Sequence, residues 1–298
     1  MMKSRMLTCI IPIGPNHLDN ENLINSIKRD SGLTNFILVF DSTPMHLKTE
    51  LNQLARINNR ISTIEVSVQS PGGSRNAGMA QCQTDWIAFF DSDDIFDTTI
   101  VTKYLQECSG TPDAIIFDFN IYGHPMHNDK RLIDDTSCEI TFHNRMEIVR
   151  SPGIWRWIFR YEEIKNIKFR DFRMGEDIVF LVDFLGIKRC IYFCSELLYN
   201  YVVGNLGQLT RDGVAKQDLL RSLECCLSKL HEKSTLIGHP QVKIDLTSLI
   251  FYSCLIHLNL INKGRAIARL VFFAIKSKGN ARLASMVISS RFRVLRAA

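Results

Sequence analysis

Three carboxylates in four positions, Asp91, Asp93 and Asp94, follow directly on the apolar run Trp86-Ile87-Ala88-Phe89-Phe90. Like charges this close repel, and a divalent cation bridging to a polyphosphate would compensate them. The apolar run has the length and composition of a strand buried on both faces. Its carboxyl end is where open α/β sheets bind their ligands. For this segment alone the plain alternative is an acidic turn that caps the next helix, with Asp97 and Thr98 as further caps. Other polar groups also end predicted elements. Asp41 closes the apolar segment Phe36–Phe40, and Glu176-Asp177 begins a helical pattern after Gly175. Pro71-Gly72-Gly73-Ser74-Arg75-Asn76-Ala77-Gly78 approaches a helix start with small residues, backbone N–H groups and one cation, a combination suited to a phosphate or a base.

The elements that must position these groups alternate. Leu7–Ile13, Phe36–Phe40, Ile61–Val66, Trp86–Phe90 and Ala114–Phe119 read as strands. Asn20–Arg29, Leu47–Ile57, Ser74–Cys82 and Ile100–Glu107 read as helices between them. Such alternation predicts βαβ crossovers and a mostly parallel sheet. Cys190–Cys194 and Leu197–Val202 read as two later strands. Trp155 and Trp157 alternate in a strand-like segment, so both would face one side, as a stacking platform or as core packing. Residues 120–143 read as a polar loop or hairpin over one end of the sheet. Its His124 and His127 have no third ligand nearby and receive no role. From Lys216 the pattern is helical to the end, broken near Gly238-His239-Pro240 and Lys263-Gly264.

Composition narrows the class. A chain of 298 residues with 46% hydrophobic and 22% charged residues is globular, not disordered. Nine cysteines without a CxxC pair read as reduced thiols rather than a disulfide framework or zinc site. No 18-residue apolar run and no convincing signal peptide occur, so a cytoplasmic location is expected. The net charge of +5 is uneven. No acidic residue follows Asp245, while nine lysines and arginines do, which leaves −4 on the remainder. Basic amphipathic helices of this kind suit an anionic membrane surface; a bundle packed on the main domain is the alternative. No motif or aromatic platform supports nucleic-acid binding.

Five motifs stand in one order over residues 7–210: Thr8-Cys9-Ile10-Ile11-Pro12-Ile13; Val39-Phe40-Asp41-Ser42-Thr43; Gly73-Ser74-Arg75-Asn76-Ala77-Gly78; Asp91-Ser92-Asp93-Asp94; and Gly175-Glu176-Asp177-Ile178-Val179-Phe180. With them the chain resembles a family-2 glycosyltransferase of the GT-A fold, the kind that builds bacterial surface polysaccharides such as O-antigen or capsule. The resemblance implies an α/β, Rossmann-like domain over residues 1–210 and a helical, basic region over 211–298. It implies inverting, metal-dependent transfer of a hexosyl group from a UDP-sugar to a saccharide acceptor linked to polyprenyl diphosphate, on the inner face of the cell membrane. By the same resemblance Asp93 and Asp91 would hold Mn²⁺ or Mg²⁺, and Asp94 would hold metal-bound water or cap a helix. Pro12, Asp41, Arg75, Asn76, Asp91 and Ser92 would bind the nucleotide sugar. Asp177 would take the acceptor's proton, with Glu176 as its competitor, and Trp155 and Trp157 would meet the acceptor. The stretch Tyr201–Thr210 resembles a polar loop near the leaving diphosphate but lacks the basic residue often found after the tyrosine.

Two other classes compete. A nucleotidyltransferase acting on sugar phosphates would carry its glycine-rich loop at the first strand, where this chain has Gly14-Pro15-Asn16. A non-catalytic polysaccharide- or membrane-binding module would be indifferent to loss of Asp177.

Overall fold

The computed structural model describes residues 6–122, 136, 139–202, 215–231, 238–276 and 278–296. The chain forms two compact units. The first comprises Met1–Glu139, Gly153–Asp171 and Cys190–Gln208; the second comprises Ile140–Pro152, Phe172–Arg189 and Leu209–Ala298.

The first unit is built on one mixed sheet. Its strands are β1 (Leu7–Ile13), β2 (Thr34–Asp41), β3 (Ile61–Val66), β4 (Trp86–Phe89), β5 (Ile95–Phe96), β6 (Ala114–Tyr122), β7 (Trp157–Arg160) and β8 (Ile191–Val202), in the order β3-β2-β1-β4-β7-β6-β8-β5. β3, β2, β1 and β4 run parallel, as do β6 and β8. β7 is antiparallel to both neighbours, and β5 to β8. The apolar runs become central strands because both faces are covered. Cys9 and Ile11 of β1 join a core cluster with Leu23 and Ile27 of α1 (Glu21–Arg29). Ile10, on the opposite face, lies against α3 (Pro71–Met79), where a Cβ on Gly78 would stand 2.5 Å from its Cγ2. The crossover between β2 and β3 is α2 (Met45–Ile57), and α4 (Thr98–Glu107) follows β5.

Three local readings change. α3 begins at Pro71 rather than Ser74, because Ser70 caps it through a bond from the Gly73 N–H and Pro71 suits the first helical position. The two late strands are one, β8, whose pairing with β6 shifts register around Asp118, a bulge that apolar alternation does not announce. Trp155 lies in a 3₁₀ turn, Ile154–Arg156, ahead of β7, so it does not alternate with Trp157 along one strand.

The second unit is helical: α5 (Phe142–Arg150), α7 (Glu176–Phe184), α8 (Asp218–His231), α9 (Pro240–His257), α10 (Leu260–Lys276) and α11 (Lys278–Arg296), while the short α6 (Tyr161–Ile164) belongs to the first unit. α9 is buried around much of its circumference, polar residues included. Its buried Asp245 is paired with Arg145 of α5 at 3.1 Å and accepts from Ser290 of α11, which compensates a charge that would otherwise be costly inside. No described helix is long and apolar enough to cross a membrane. Among the described cysteines seven are free thiols, but Cys190 is disulfide-bonded, a correction to the reading of a fully reduced chain; spacing alone does not reveal a pairing.

Candidate active site

β2 and β4 flank β1 and run parallel to it, so the residues after their carboxyl ends share one edge of the sheet. Asp41 closes β2 there and is buried. Its carboxylate accepts from the Val68 N–H (3.1 Å), the Ser70 N–H (3.2 Å) and the Ser74 hydroxyl (3.1 Å). Asp41 therefore ties the end of β2 to the start of α3. Ser70 also donates to Asp171. Pro12 lies within β1, in register with Val39 and half-buried.

α3 aims two polar side chains differently. Arg75 is buried and directs Nη2 to Asp91 Oδ1 at 2.8 Å, with its guanidinium 5.5 Å from the Phe169 ring centre. Asn76 turns the other way. Its amide donates to Phe169 O (2.8 Å) and accepts from the Phe169 N–H (2.9 Å). Both ends of that amide brace the 169–171 segment. The glycines serve the same contact: a Cβ on Gly72 would stand 2.2 Å from Arg170 O.

The acidic cluster divides. The Asp91 N–H donates to the Tyr199 hydroxyl (3.1 Å), which donates in turn to Asp94 Oδ2 (2.8 Å), and the Val202 N–H donates to Asp94 Oδ1 (2.7 Å). Asp94 is 1% exposed. Burial first, then the nearby Asp91 and Asp93 charges, push its carboxyl up to about 8. Without a cation, Asp94 therefore carries its proton at neutral pH, which relieves part of the repulsion in the cluster. Burial and the Asp94 and Asp91 charges likewise hold the Tyr199 phenol well above its ordinary range, so it stays a donor. With each oxygen accepting one bond from β8, Asp94 anchors the acidic turn. Asp91 and Asp93 keep their partial exposure.

Ser92 leads to a residue that the motifs did not include. Its hydroxyl meets His17 Nδ1 at 3.1 Å, and His17 Nε2 meets Asn20 Oδ1 at 3.1 Å. The Asn20 amide donates to Leu47 O and Glu50. Asn20 Oδ1 can only accept, so Nε2 carries the ring proton and Nδ1 accepts from Ser92. Burial lowers the His17 pKa and favours this neutral form. The available signal was position: His17 lies in the turn after β1, on the same edge as Asp41 and Asp91. Tyr199, deep in a strand, gave no such signal.

Trp157 is fully buried and stacks on Phe159 at 5.6 Å. It is corrected from an acceptor platform to core, since no face of it meets solvent. Trp155, also buried, stacks on Tyr199 (4.6 Å) and Tyr201 (5.7 Å), and so supports the tyrosine that holds Asp94.

Glu176 and Asp177 stand in the second unit, on the first turn of α7. Gly175 precedes them at φ +83°, and a Cβ there would meet Ser222 Oγ at 2.7 Å. Two bonds fix this approach to α8: Ser222 donates to Met174 O, and the Arg173 N–H donates to Asp218. Glu176 is buried, whereas Asp177 is half-buried and accepts from the Ile178 N–H at 2.8 Å. His124, His127 and residues 203–210 of the polar loop lie outside the described residues.

Among the described residues no three His, Cys, Asp or Glu side chains are placed so that they could together hold a metal ion. Asp91 and Asp93 fit a different kind of site. They are hard oxygen donors on an open edge, and Mg²⁺ commonly takes one or two carboxylates and completes its shell with phosphate oxygens and water.

Residues 21–183 match the family model described as glycosyl transferase family 2. Among solved structures, S. aureus TarS 1–349 in complex with UDP-GlcNAc is similar with TM-score 0.73 and 14% identity, over 98% of this chain and 88% of that one. TarS 1–349 without a named ligand gives TM-score 0.71 and 15% identity over the same shares of the two chains. The mannosyltransferase PcManGT from Pyrobaculum calidifontis, in complex with GDP-Man and Mn²⁺, gives TM-score 0.54 and 10% identity over 99% and 88%. At these identities the likeness is one of fold. None of the curated proteins matches the chain in sequence.

Proposed function

The chain belongs to glycosyl transferase family 2 and is a glycosyltransferase; we propose that it moves a hexosyl group from a UDP-sugar to a saccharide acceptor with inversion at the anomeric carbon. The acceptor is linked to polyprenyl diphosphate, and the product is a surface polysaccharide such as O-antigen or capsule. Residues 1–210 carry the reaction, and the basic helices within 211–298 attach the enzyme peripherally to the membrane. One observation carries this reading: Asp41, the Arg75–Asp91 pair and the partly exposed Asp93 share the carboxyl edge of β2, β1 and β4, where a nucleotide sugar would bind.

Each group has a task that follows from its surroundings. Asp41, with three donors already on its carboxylate, holds the α3 start in place and offers its remaining lone pair to the uracil or ribose. Arg75 fixes Asp91 through one oxygen and leaves the other to accept from a donor hydroxyl. Ser92, steadied by His17, orients the turn on which Asp91 and Asp93 stand. Mn²⁺ or Mg²⁺ held by Asp91 and Asp93 would neutralise the charge that grows on the leaving diphosphate. Asp177, oriented by the Ile178 N–H, accepts the proton of the attacking hydroxyl; the more buried Glu176 steadies the same turn.

The test is nucleotide release from a panel of nucleotide sugars with Mn²⁺ or Mg²⁺, with and without a lipid-linked saccharide. UDP release from a UDP-sugar is expected. Asp177→Asn should bind UDP normally and lose transfer by roughly a hundredfold or more. Silence with every donor, or normal transfer by Asp177→Asn, would overturn the reading.

A further inference from the structure

α10 carries two apolar stripes, and only one is used inside the protein. Ala266, Leu270 and Phe273 are buried in the helical unit. On the other side Leu260, Ile261, Ile267, Val271, Phe272 and Ile275 stand in solvent, with Leu260 at 86%, Phe272 at 72% and Ile275 at 76% exposure. Their positions follow the helical repeat, so they form one continuous stripe along a helix about 25 Å long. A helix that only packs on its neighbours would turn polar side chains outward here. Gly264 leaves the stripe flat, with nothing within 4 Å of where a Cβ would stand.

Every charged residue of α10 itself is basic, and the acidic neighbour Glu224 of α8 is taken up by Arg269. Arg265 and Lys276 are exposed, and Lys263 is half-exposed. No acidic residue occurs anywhere after Asp245. A second copy of this face would set these cations against one another as the apolar stripes met. An anionic bilayer answers both features at once, the stripe with acyl chains and the cations with lipid phosphates.

We propose that α10 lies in the headgroup plane of an anionic bilayer, with Leu260, Ile261, Ile267, Val271, Phe272 and Ile275 against the acyl chains and Lys263, Arg265 and Lys276 at the phosphates. This deepens the peripheral attachment proposed above and does not depend on the transfer reaction, so its test reads binding alone. Leu270, between Ile267 and Val271 in sequence, points into the protein and does not belong to this stripe.

The full chain is sedimented with vesicles of phosphatidylglycerol and phosphatidylethanolamine, and separately with phosphatidylcholine alone. Binding to the anionic vesicles and little to the neutral ones is expected. Phe272→Ser combined with Ile275→Ser removes two exposed side chains and should weaken that binding by roughly a hundredfold, with UDP affinity unchanged. Arg265→Gln combined with Lys276→Gln, which touches no apolar contact, should weaken it by roughly twentyfold. The proposal is overturned if the wild-type chain stays in the supernatant, if neutral vesicles bind it equally, or if the Ser variant sediments like wild type. It is equally overturned if the Ser variant turns a dimer into a monomer at unchanged vesicle affinity, since the stripe then serves a second copy.

Discussion

Replacing Asp94 with Asn tests whether the acidic turn is held together by a neutral carboxyl. Asp94 is buried against Tyr199 and the Val202 N–H, and its carboxyl is raised from 3.8 to about 8. The unfolded chain releases this proton near pH 4, whereas the folded protein keeps it until about pH 8. Between those limits the folded state binds more protons, so stability falls as pH rises. The contribution is fully present below the unfolded pKa and lost as pH passes the folded one. The slope is about 1.4 kcal/mol per pH unit, so wild type loses about 2.7 kcal/mol between pH 5 and pH 7. The full shift corresponds to roughly 5 kcal/mol, an order-of-magnitude figure. Asp94→Asn cannot ionise and should not show this slope, although it weakens the bond from Tyr199.

The assay is thermal unfolding of both proteins in a chelator, from about pH 5 to pH 9. The melting temperature of wild type minus that of Asp94→Asn should fall by about 5 °C or more from pH 5 to pH 7, and flatten above pH 8. Curves that shift in parallel would mean that Asp94 is ionised in the folded protein. The division of labour within the cluster would then be wrong.

Gly72→Ala should destabilise the protein by about 2 kcal/mol in urea unfolding, because the new methyl would stand 2.2 Å from a backbone oxygen. An exposed helix would instead gain from the same change, so the sign decides whether the contact with 169–171 is real. Arg75→Ala should cost about 1–3 kcal/mol of stability and weaken UDP binding measured by calorimetry, since it strips Asp91 of a buried partner. Arg75→Lys should restore little, because an ammonium does not reproduce the fixed guanidinium fork; full rescue would count against the pairing geometry.

The parallel half of the sheet was readable because its inner strands carry mostly apolar runs bounded by turn residues, as Leu7–Ile13 and Trp86–Phe89 do, and its edge strand β3 alternates in part. The same logic failed where pairing is irregular. β8 reads as two strands because Ser195 and Glu196, which its register shift against β6 leaves without a pairing partner, interrupt its apolar pattern. Asp41 and the acidic turn could be located from their place at strand ends, but their partners could not. The bond from Tyr199 to Asp94 spans 105 residues, and that from Asn76 to Phe169 spans 93. No local pattern encodes which of several polar groups such a distant partner will claim.

Those distant partners decide what each acid can do. Three neighbouring carboxylates look alike in the sequence. Yet Asp94 gives both oxygens to β8, and Asp91 gives one to Arg75. The same bonds that bury Asp94 also set where the other two stand. Tyr199 accepts from the Asp91 N–H and donates to Asp94, so the turn is pinned at both ends, while Trp155 stacked on Tyr199 keeps the phenol in place. A turn pinned in this way holds Asp91 and Asp93 at the sheet edge before any ligand arrives, and the cost of ordering them is met in folding rather than in binding. The proton that burial keeps on Asp94 relieves part of the repulsion within the cluster.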